Sequence, residues 1–334
     1  MFYSYKKYLK KMYGKAAYRV SVDGGFSCPN RNKDGSGGCT YCDELGAVAV
    51  YQRTMEADLA HNGETSGWKE LILPGKTSVF AMEQRKAKIK EQVEEGLRFL
   101  KRRYNAEYFI LYFQAFTGTF APVSVLKELY DYGLSLAEFR ELVISTRPDC
   151  VSPAVADLLV SYKADDLDVW VELGLQSAHD STLQRVNRGH TRKEFERAFE
   201  LLRERGIKIT VHLIFGLPGE NRREIMETVD YLARLKPEGI KIHNLHIPVR
   251  TALFEEYSYG ELTVPSGMRH LSYTIEALER LPDTIIIHRL TCDTPEHRLG
   301  APRTFFKKGS FLTILRSQME QRGSFQGKRS MSSH

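Results

Sequence analysis

No apolar run in this sequence reaches the roughly 18 to 20 residues that a membrane span needs, so no membrane partner is expected. The opening stretch MFYSYKKYLKKMYGK interleaves Lys and Tyr and contains no apolar h-region, which argues against a secretory signal. Cysteine is scarce. Five in 334 residues, three of them clustered, do not make a disulfide framework, and the expected compartment is the cytoplasm. Internal repeats are lacking, which sets solenoid architectures aside. With 42% apolar and 27% charged residues the chain has the composition of a globular protein, long enough for one large domain or two ordinary ones.

Charge is unevenly placed. Residues 1–20 carry six basic side chains and no acidic one, and residues 301–334 carry seven basic against Glu320 alone. The 280 residues between them net −6. Basic ends on a mildly acidic body suggest a polyanionic partner approaching where the ends meet; the plainer alternative is two solvated termini.

From residue 85 onward, helix-like stretches alternate with short apolar runs. Strands are expected at 17–23, 108–113, 141–146, 168–175, 207–216 and 240–247, with amphipathic helices between them. Thr191 and Glu194 form the sequence pattern of a capping box, and Ser152 before Pro153 marks another helix start. Such alternation implies an α/β fold with a parallel sheet, here a partial (β/α)6 TIM-type barrel with ligands at the strand carboxyl ends. The expected division is a basic N-terminal segment (1–16), the barrel (17–247) with 46–84 as an insertion or lid, a C-terminal extension (248–322) and a disordered tail (323–334).

Directly after the first expected strand, GGFSCPNRNKDGSGGCTYC places Cys28, Cys39 and Cys42 in a C-x10-C-x2-C pattern. Thiolates suit zinc or an iron–sulfur cluster. A closed zinc site wants a fourth ligand, for which His61 is the nearest histidine, whereas three cysteines on a [4Fe–4S] cube leave one iron open. Together with YFQAFTGTFAP, STRPDC, ELGLQSAHDSTLQRVNRGHT, HLIFGLPGE and IKIHNLHI, this loop resembles the radical S-adenosylmethionine (SAM) superfamily, in a subfamily with the longer cysteine spacing. The resemblance runs over roughly residues 15–290.

It implies that Cys28, Cys39 and Cys42 ligate a [4Fe–4S] cluster, that SAM is the second cofactor, and that an electron donor such as flavodoxin or ferredoxin serves it. Tyr41 resembles the aromatic residue beside the adenine. Gln114 and Thr117, with Thr119, stand where the superfamily often has a Gly-Gly-Glu turn for the SAM amino group. Ser145 and Arg147 are expected at the ribose and carboxylate, with a structural tie as the alternative for Arg147. Gln176 is read as a SAM contact and Glu172 as a contact to SAM or to a neighbouring Arg. Arg188 resembles the Arg near the SAM carboxylate, and the backbone from Phe215 to Leu217 is an expected adenine contact. His190, His243 and Cys292 read as structural. Cys150, after a strand end, is a candidate hydrogen-atom donor or else a small buried hydrophobe.

Within the subfamily the basic C-terminal end is similar to Gram-positive members, which implies tRNA as partner and a wobble-uridine side chain as substrate, carboxymethylaminomethyl becoming aminomethyl. Aromatics among the basic residues (Tyr3, Tyr5, Tyr8, Tyr13, Tyr18, Phe305, Phe306, Phe311) would stack on bases, or else pack as helix faces. A radical SAM enzyme for a small metabolite or peptide, and a non-catalytic zinc or iron–sulfur nucleic-acid-binding protein, are the competing classes.

Overall fold

The computed structural model describes residues 1–32, 37–42 and 79–330. In chain order its elements begin with α1 (Tyr5–Tyr13), β1 (Ala17–Val22), α2 (Val79–Tyr104), β2 (Tyr108–Phe113), α3 (Val123–Ser135) and β3 (Glu141–Thr146). There follow α4 (Pro153–Val160), β4 (Asp168–Gln176), α5 (Asp180–Arg185), α6 (Arg192–Glu204), β5 (Lys208–Phe215), α7 (Arg222–Leu235) and β6 (Gly239–Asn244). The C-terminal part adds β7 (Ile247–Pro248), α8 (Ala252–Ser258), α9 (Gly267–Arg280), β8 (Ile286–Arg289), β9 (Leu299–Ala301) and α10 (Lys308–Gln321). Most of the expected 46–84 insertion lies outside the described residues, and residues 79–84 are the first turns of α2.

Seven of the described strands form one parallel sheet in sequence order, β1-β2-β3-β4-β5-β6-β8, while β7 and β9 pair antiparallel apart from it. Its curl makes an open barrel with helices outside. The expected six strands are present, and β8 adds a seventh from what was read as an extension. Local signals match local structure. The Thr191–Glu194 capping box starts α6, and the Ser152 hydroxyl caps α4 ahead of Pro153.

Strand alternation builds two interiors. Outward residues such as Val20, Leu111, Ile144, Val171, Val211 and Ile242 form the core under the helices. Inward residues fill the lumen. At its floor Ile110, Val143, Trp170 and Ile286 pack with Tyr5, Tyr8 and Leu9 of α1. Tyr5, Tyr8 and Leu9 recur at helical spacing, so α1 lays one face across the amino ends of the strands. Tyr13 Oη donates to Glu141 (3.2 Å), Lys208 Nζ bonds Asp168 (2.6 Å), and Tyr5 stacks on His288 with ring centroids 4.0 Å apart.

Two expectations change here. The tail is not disordered through residue 330. Gln326 is only 3% exposed, donates to the carbonyls of Pro282 and Ile285, and accepts from the Tyr3 amide. The Gln326 amide also bonds the Met1 carbonyl (2.8 Å), so the chain's two ends meet. They meet beneath the barrel, on the face opposite the strand carboxyl ends, and not at the mouth. The aromatics of these ends are packed within the fold: Tyr5 and Tyr8 of α1 lie in the floor cluster, Tyr18 of β1 stacks on Tyr104, and Phe305, Phe306 and Phe311 pack on one another.

Candidate active site

The cysteine loop leaves the carboxyl end of β1 and is pinned at several points. Thr117 N–H donates to the Ser27 carbonyl (3.3 Å), and Cys42 N–H closes a turn on Cys39 O (2.8 Å). Thr40 is held through its amide by Val186 and through its carbonyl by Leu253 of α8. The tightest hold comes from Asn187-Arg188-Gly189. Asn187 Nδ2 donates to Gly38 O (2.8 Å), and Asn30 Nδ2 donates back to Asn187 O. Gly189 sits at φ +74°, and a Cβ there would stand 2.6 Å from Asn30 Oδ1. Only glycine meets both the conformation and the close approach.

The three thiols are surrounded by cations. Arg188 Nη1 lies 3.6 Å from Cys39 Sγ while its Nη2 donates to Gly174 O (3.0 Å), and Arg31 Nη2 lies 3.1 Å from Cys42 Sγ. Burial works against a Cys39 thiolate, but Arg188, Tyr41 and Arg147 together outweigh it and bring the pKa below its usual value. At Cys42 burial prevails over Arg31 and the pKa is raised. Among the described residues no three His, Cys, Asp or Glu side chains converge as a single ion would require. A [4Fe–4S] cube asks for something looser, since each thiolate takes a different iron. Arg188 Nε is buried and has no partner among the described residues, so an acceptor in this site would meet a ready donor. Three thiols, flanking guanidinium groups and an unmet donor fit an anionic cluster with a carboxylate-bearing ligand. His61 lies outside the described residues.

The remaining expected residues separate into those around this loop and those committed elsewhere. Tyr41 packs with Leu217 in an apolar cluster with Val186, Leu245, Ile247 and Leu253, facing the ends of β5 and β6. Gln176 ends β4 after a bulge, in left-handed backbone at φ +72°, with its amide against Gly174. Such backbone strain beside a site is common where a side chain must be aimed. Gln114 follows β2 and holds the Val22 carbonyl through its amide; Thr117 is buried beside it. Ser145, in register with Glu172, ends β3 and accepts from the Gly118 amide (2.8 Å).

The geometry takes Glu172 to a neighbouring Arg and Arg147 to a structural tie, the second reading given for each, and it redirects Phe215 and Cys150. Glu172 does not reach the mouth: its side chain is 0% exposed, bonded to Arg19 (2.6 Å), Lys241 (2.6 Å), His212 (2.9 Å) and the Tyr112 hydroxyl. Burial opposes its charge, yet Arg19 and Lys241 hold its pKa well below the carboxylate range. Arg147 is a structural tie, clamped on Asp149 (2.9 and 3.0 Å) and on Arg188 O (2.7 Å). Phe215 points into the outer core against His270, and its carbonyl is taken by the Leu245 amide. Cys150 lines a cavity of about 940 Å³ bounded by Gly25 to Ser27 and Pro29 of the cysteine loop and by α2, α3, α4 and α6. Thr119 binds the Cys150 carbonyl and Thr146 Oγ1, so it is also unavailable. His190 is structural as expected, with burial foremost in pushing its pKa down to about 3.

Asn30, Arg31 and Asn187 were not singled out by the sequence. The signal was the Asn-Arg-Gly run itself, whose glycine marks a backbone that something approaches closely.

The family model described as "Radical SAM superfamily" matches residues 28–232, and "Radical_SAM C-terminal domain" matches 237–321. Protein YhcC of Escherichia coli (strain K12) is 37% identical over 298 residues, 88% of this chain and 84% of that protein. An uncharacterized protein of Bacillus subtilis (strain 168), YtqA, is 34% identical over 96% of this chain and 90% of its own length. A tRNA uridine(34) acetyltransferase of Methanocaldococcus jannaschii is 32% identical over 46% of this chain and 28% of its own length. Among solved structures, the archaeal Elp3 of Methanocaldococcus infernus, lacking its N-terminus, superposes with a TM-score of 0.63 at 19% identity, over 75% of this chain and 62% of that one. This last likeness is one of fold. No helix among the described residues is long and apolar enough to cross a membrane.

Proposed function

The chain belongs to the radical SAM superfamily, and from that premise we propose that it modifies the side chain of a tRNA wobble uridine in the cytoplasm, converting carboxymethylaminomethyl to aminomethyl, with SAM as the oxidant, water as co-reactant and the two carbons leaving as glyoxylate. The family implies a [4Fe–4S] cluster and SAM. Cys28, Cys39 and Cys42 would hold the cluster, and a flavodoxin or ferredoxin would supply the electron. When bound, cluster and SAM supply reductive C–S cleavage and an alkyl radical able to take hydrogen from an unactivated carbon.

The observation that carries this reading is the clasp on the cysteine loop, with Arg188 bridging Cys39 and Gly174 at the lumen edge. The chain's own part is to orient and to exclude water. Arg188 Nε, with Gln176 and Ser145 on neighbouring strand ends, would receive SAM's amino-acid end, and the apolar pair Tyr41 and Leu217 would lie beside its adenine. The tRNA substrate is supported by the partial similarity to a tRNA uridine(34) acetyltransferase. Charge at the mouth supports it too. Phe306 packs against Gly267, and Pro265 against Gly216 at the end of β5, so exposed Arg303, Lys307 and Lys308 stand on the carboxyl-end rim. The wobble base is unpaired and reaches such a mouth at little cost.

Nucleoside analysis tests the substrate. Anaerobically reconstituted protein, with dithionite, SAM and tRNA bearing carboxymethylaminomethyluridine, is expected to yield aminomethyluridine. An unchanged nucleoside pool alongside continuing SAM cleavage would move the activity to a small metabolite or peptide.

A further inference from the structure

Arg289 ends β8, where strict alternation would turn it outward. Ile286 belongs to the floor cluster, Ile287 to the outer core, and His288 faces in, 3.2 Å from Thr210 Oγ1 and 3.1 Å from Arg19 Nη2. A bulge then intervenes. The β6–β8 pairing runs Ile240 with Ile287 and next Lys241 with Arg289, so His288 is skipped and Arg289 takes the inward register. Bulges near active sites re-aim side chains in this way.

The row that Arg289 joins is informative. Gly174 pairs with His212, His212 with Lys241, and Lys241 with Arg289. The Gly174 carbonyl is the one Arg188 holds while touching Cys39. Arg289 therefore joins the inward-facing row of His212 and Lys241 in the lumen.

Its neighbours leave it a surplus charge. Arg19 and Lys241 both pair with Glu172, the one carboxylate in that part of the lumen among the described residues. Arg289 is half-buried and has no hydrogen-bond or ion-pair partner among them. Beside it, His243 Nε2 is buried and unpartnered, with its ring 5.6 Å from that of His212. After burial, the charge of Arg289 is among the causes that lower the pKa values of Lys241 and His243, which places the guanidinium close to both. A confined, unpaired guanidinium beside two other cations is costly until an anion joins it.

We infer that Arg289 anchors an oxyanion of the substrate, specifically the carboxylate of the side chain being modified. The guanidinium fork matches a carboxylate, and the anchor would hold the adjacent carbon inside the lumen. The inference rests on the proposed wobble-uridine reaction for the identity of that carboxylate.

The test is anaerobic binding to the SAM-loaded holoprotein, comparing wild type, Arg289→Gln and Arg289→Lys. The ligands are two pairs, carboxymethylaminomethyl- and aminomethyluridine as free nucleosides and within an anticodon stem-loop. Wild type is expected to prefer the carboxylated member by about 10- to 100-fold, the range of a charge-assisted hydrogen bond. Arg289→Gln should erase that preference and Arg289→Lys should keep part of it, with iron content and melting temperature as controls on folding. Preference in the nucleoside pair without binding of either stem-loop would refute the RNA reading and uphold Arg289. Equal discrimination by wild type and Arg289→Gln would overturn the anchor and leave the RNA reading standing. Equal weakening of both stem-loops by Arg289→Gln would assign the residue to backbone phosphate, and weakened SAM binding would assign it to the cofactor; either outcome overturns the inference, as does a wild type without preference.

Discussion

Replacing Cys28 by Ala is expected to leave protein that cannot hold a four-iron cluster and forms no 5′-deoxyadenosine above background. Cys39→Ala and Cys42→Ala should do the same. Cys150→Ala and Cys292→Ala should retain wild-type iron, because Cys150 lies outside the C-x10-C-x2-C loop and Cys292, half-buried, is bonded to Asn244. Iron and sulfide counted per chain after anaerobic reconstitution check this. Full iron in Cys28→Ala would mean that another group, such as Cys150 or a residue outside the described segments, is the third ligand. The effect is total because an iron–sulfur cube depends on each of its protein ligands.

Glu172→Ala is expected to destabilise the fold by about 3–5 kcal/mol, the cost of removing one partner from a buried ion pair. Here the loss strands Arg19 and Lys241 in a lumen that already contains Arg289. Burial lowers the Lys241 pKa to about 7 even with Glu172 present, so without the carboxylate the lysine would shed its proton. Glu172→Gln, which keeps the shape and some hydrogen bonds, should lose less. Urea unfolding of the cluster-free protein, followed by circular dichroism, measures both. A loss under about 1 kcal/mol in Glu172→Ala would indicate a hydrated lumen and remove the reason for treating Glu172 as structural.

What was legible in the sequence was local. The strand–helix alternation, the Thr191–Glu194 capping box and the run of three cysteines each occupy a few consecutive residues, and the structure has them where they were expected. What escaped was pairing across the chain. Glu172 was read as a contact to SAM or to a neighbouring Arg, and nothing near it reveals that the Arg is Arg19, 153 positions earlier, or that Lys241, 69 later, joins it. The same holds for the tail: GSFQGKRS is polar enough to read as solvated, yet Gln326 meets carbonyls at 282 and 285. The spacing of Tyr5, Tyr8 and Leu9 did carry a helix face. With lysines paired between the aromatics it was read either as base-stacking or as a packed helix face, and only the sheet above it shows what that face covers. Arg289 depends on a bulge, and a one-residue shift in register leaves no mark on either strand alone.

The account's central claim is that the clasped cysteine loop is a radical SAM centre opening on a tRNA-accepting mouth. The most direct test is 5′-deoxyadenosine formed by anaerobically reconstituted protein with SAM and dithionite, with and without tRNA bearing carboxymethylaminomethyluridine. The account predicts a slow basal yield that rises when this tRNA is added. A fully loaded cluster that yields no deoxyadenosine under either condition would contradict it.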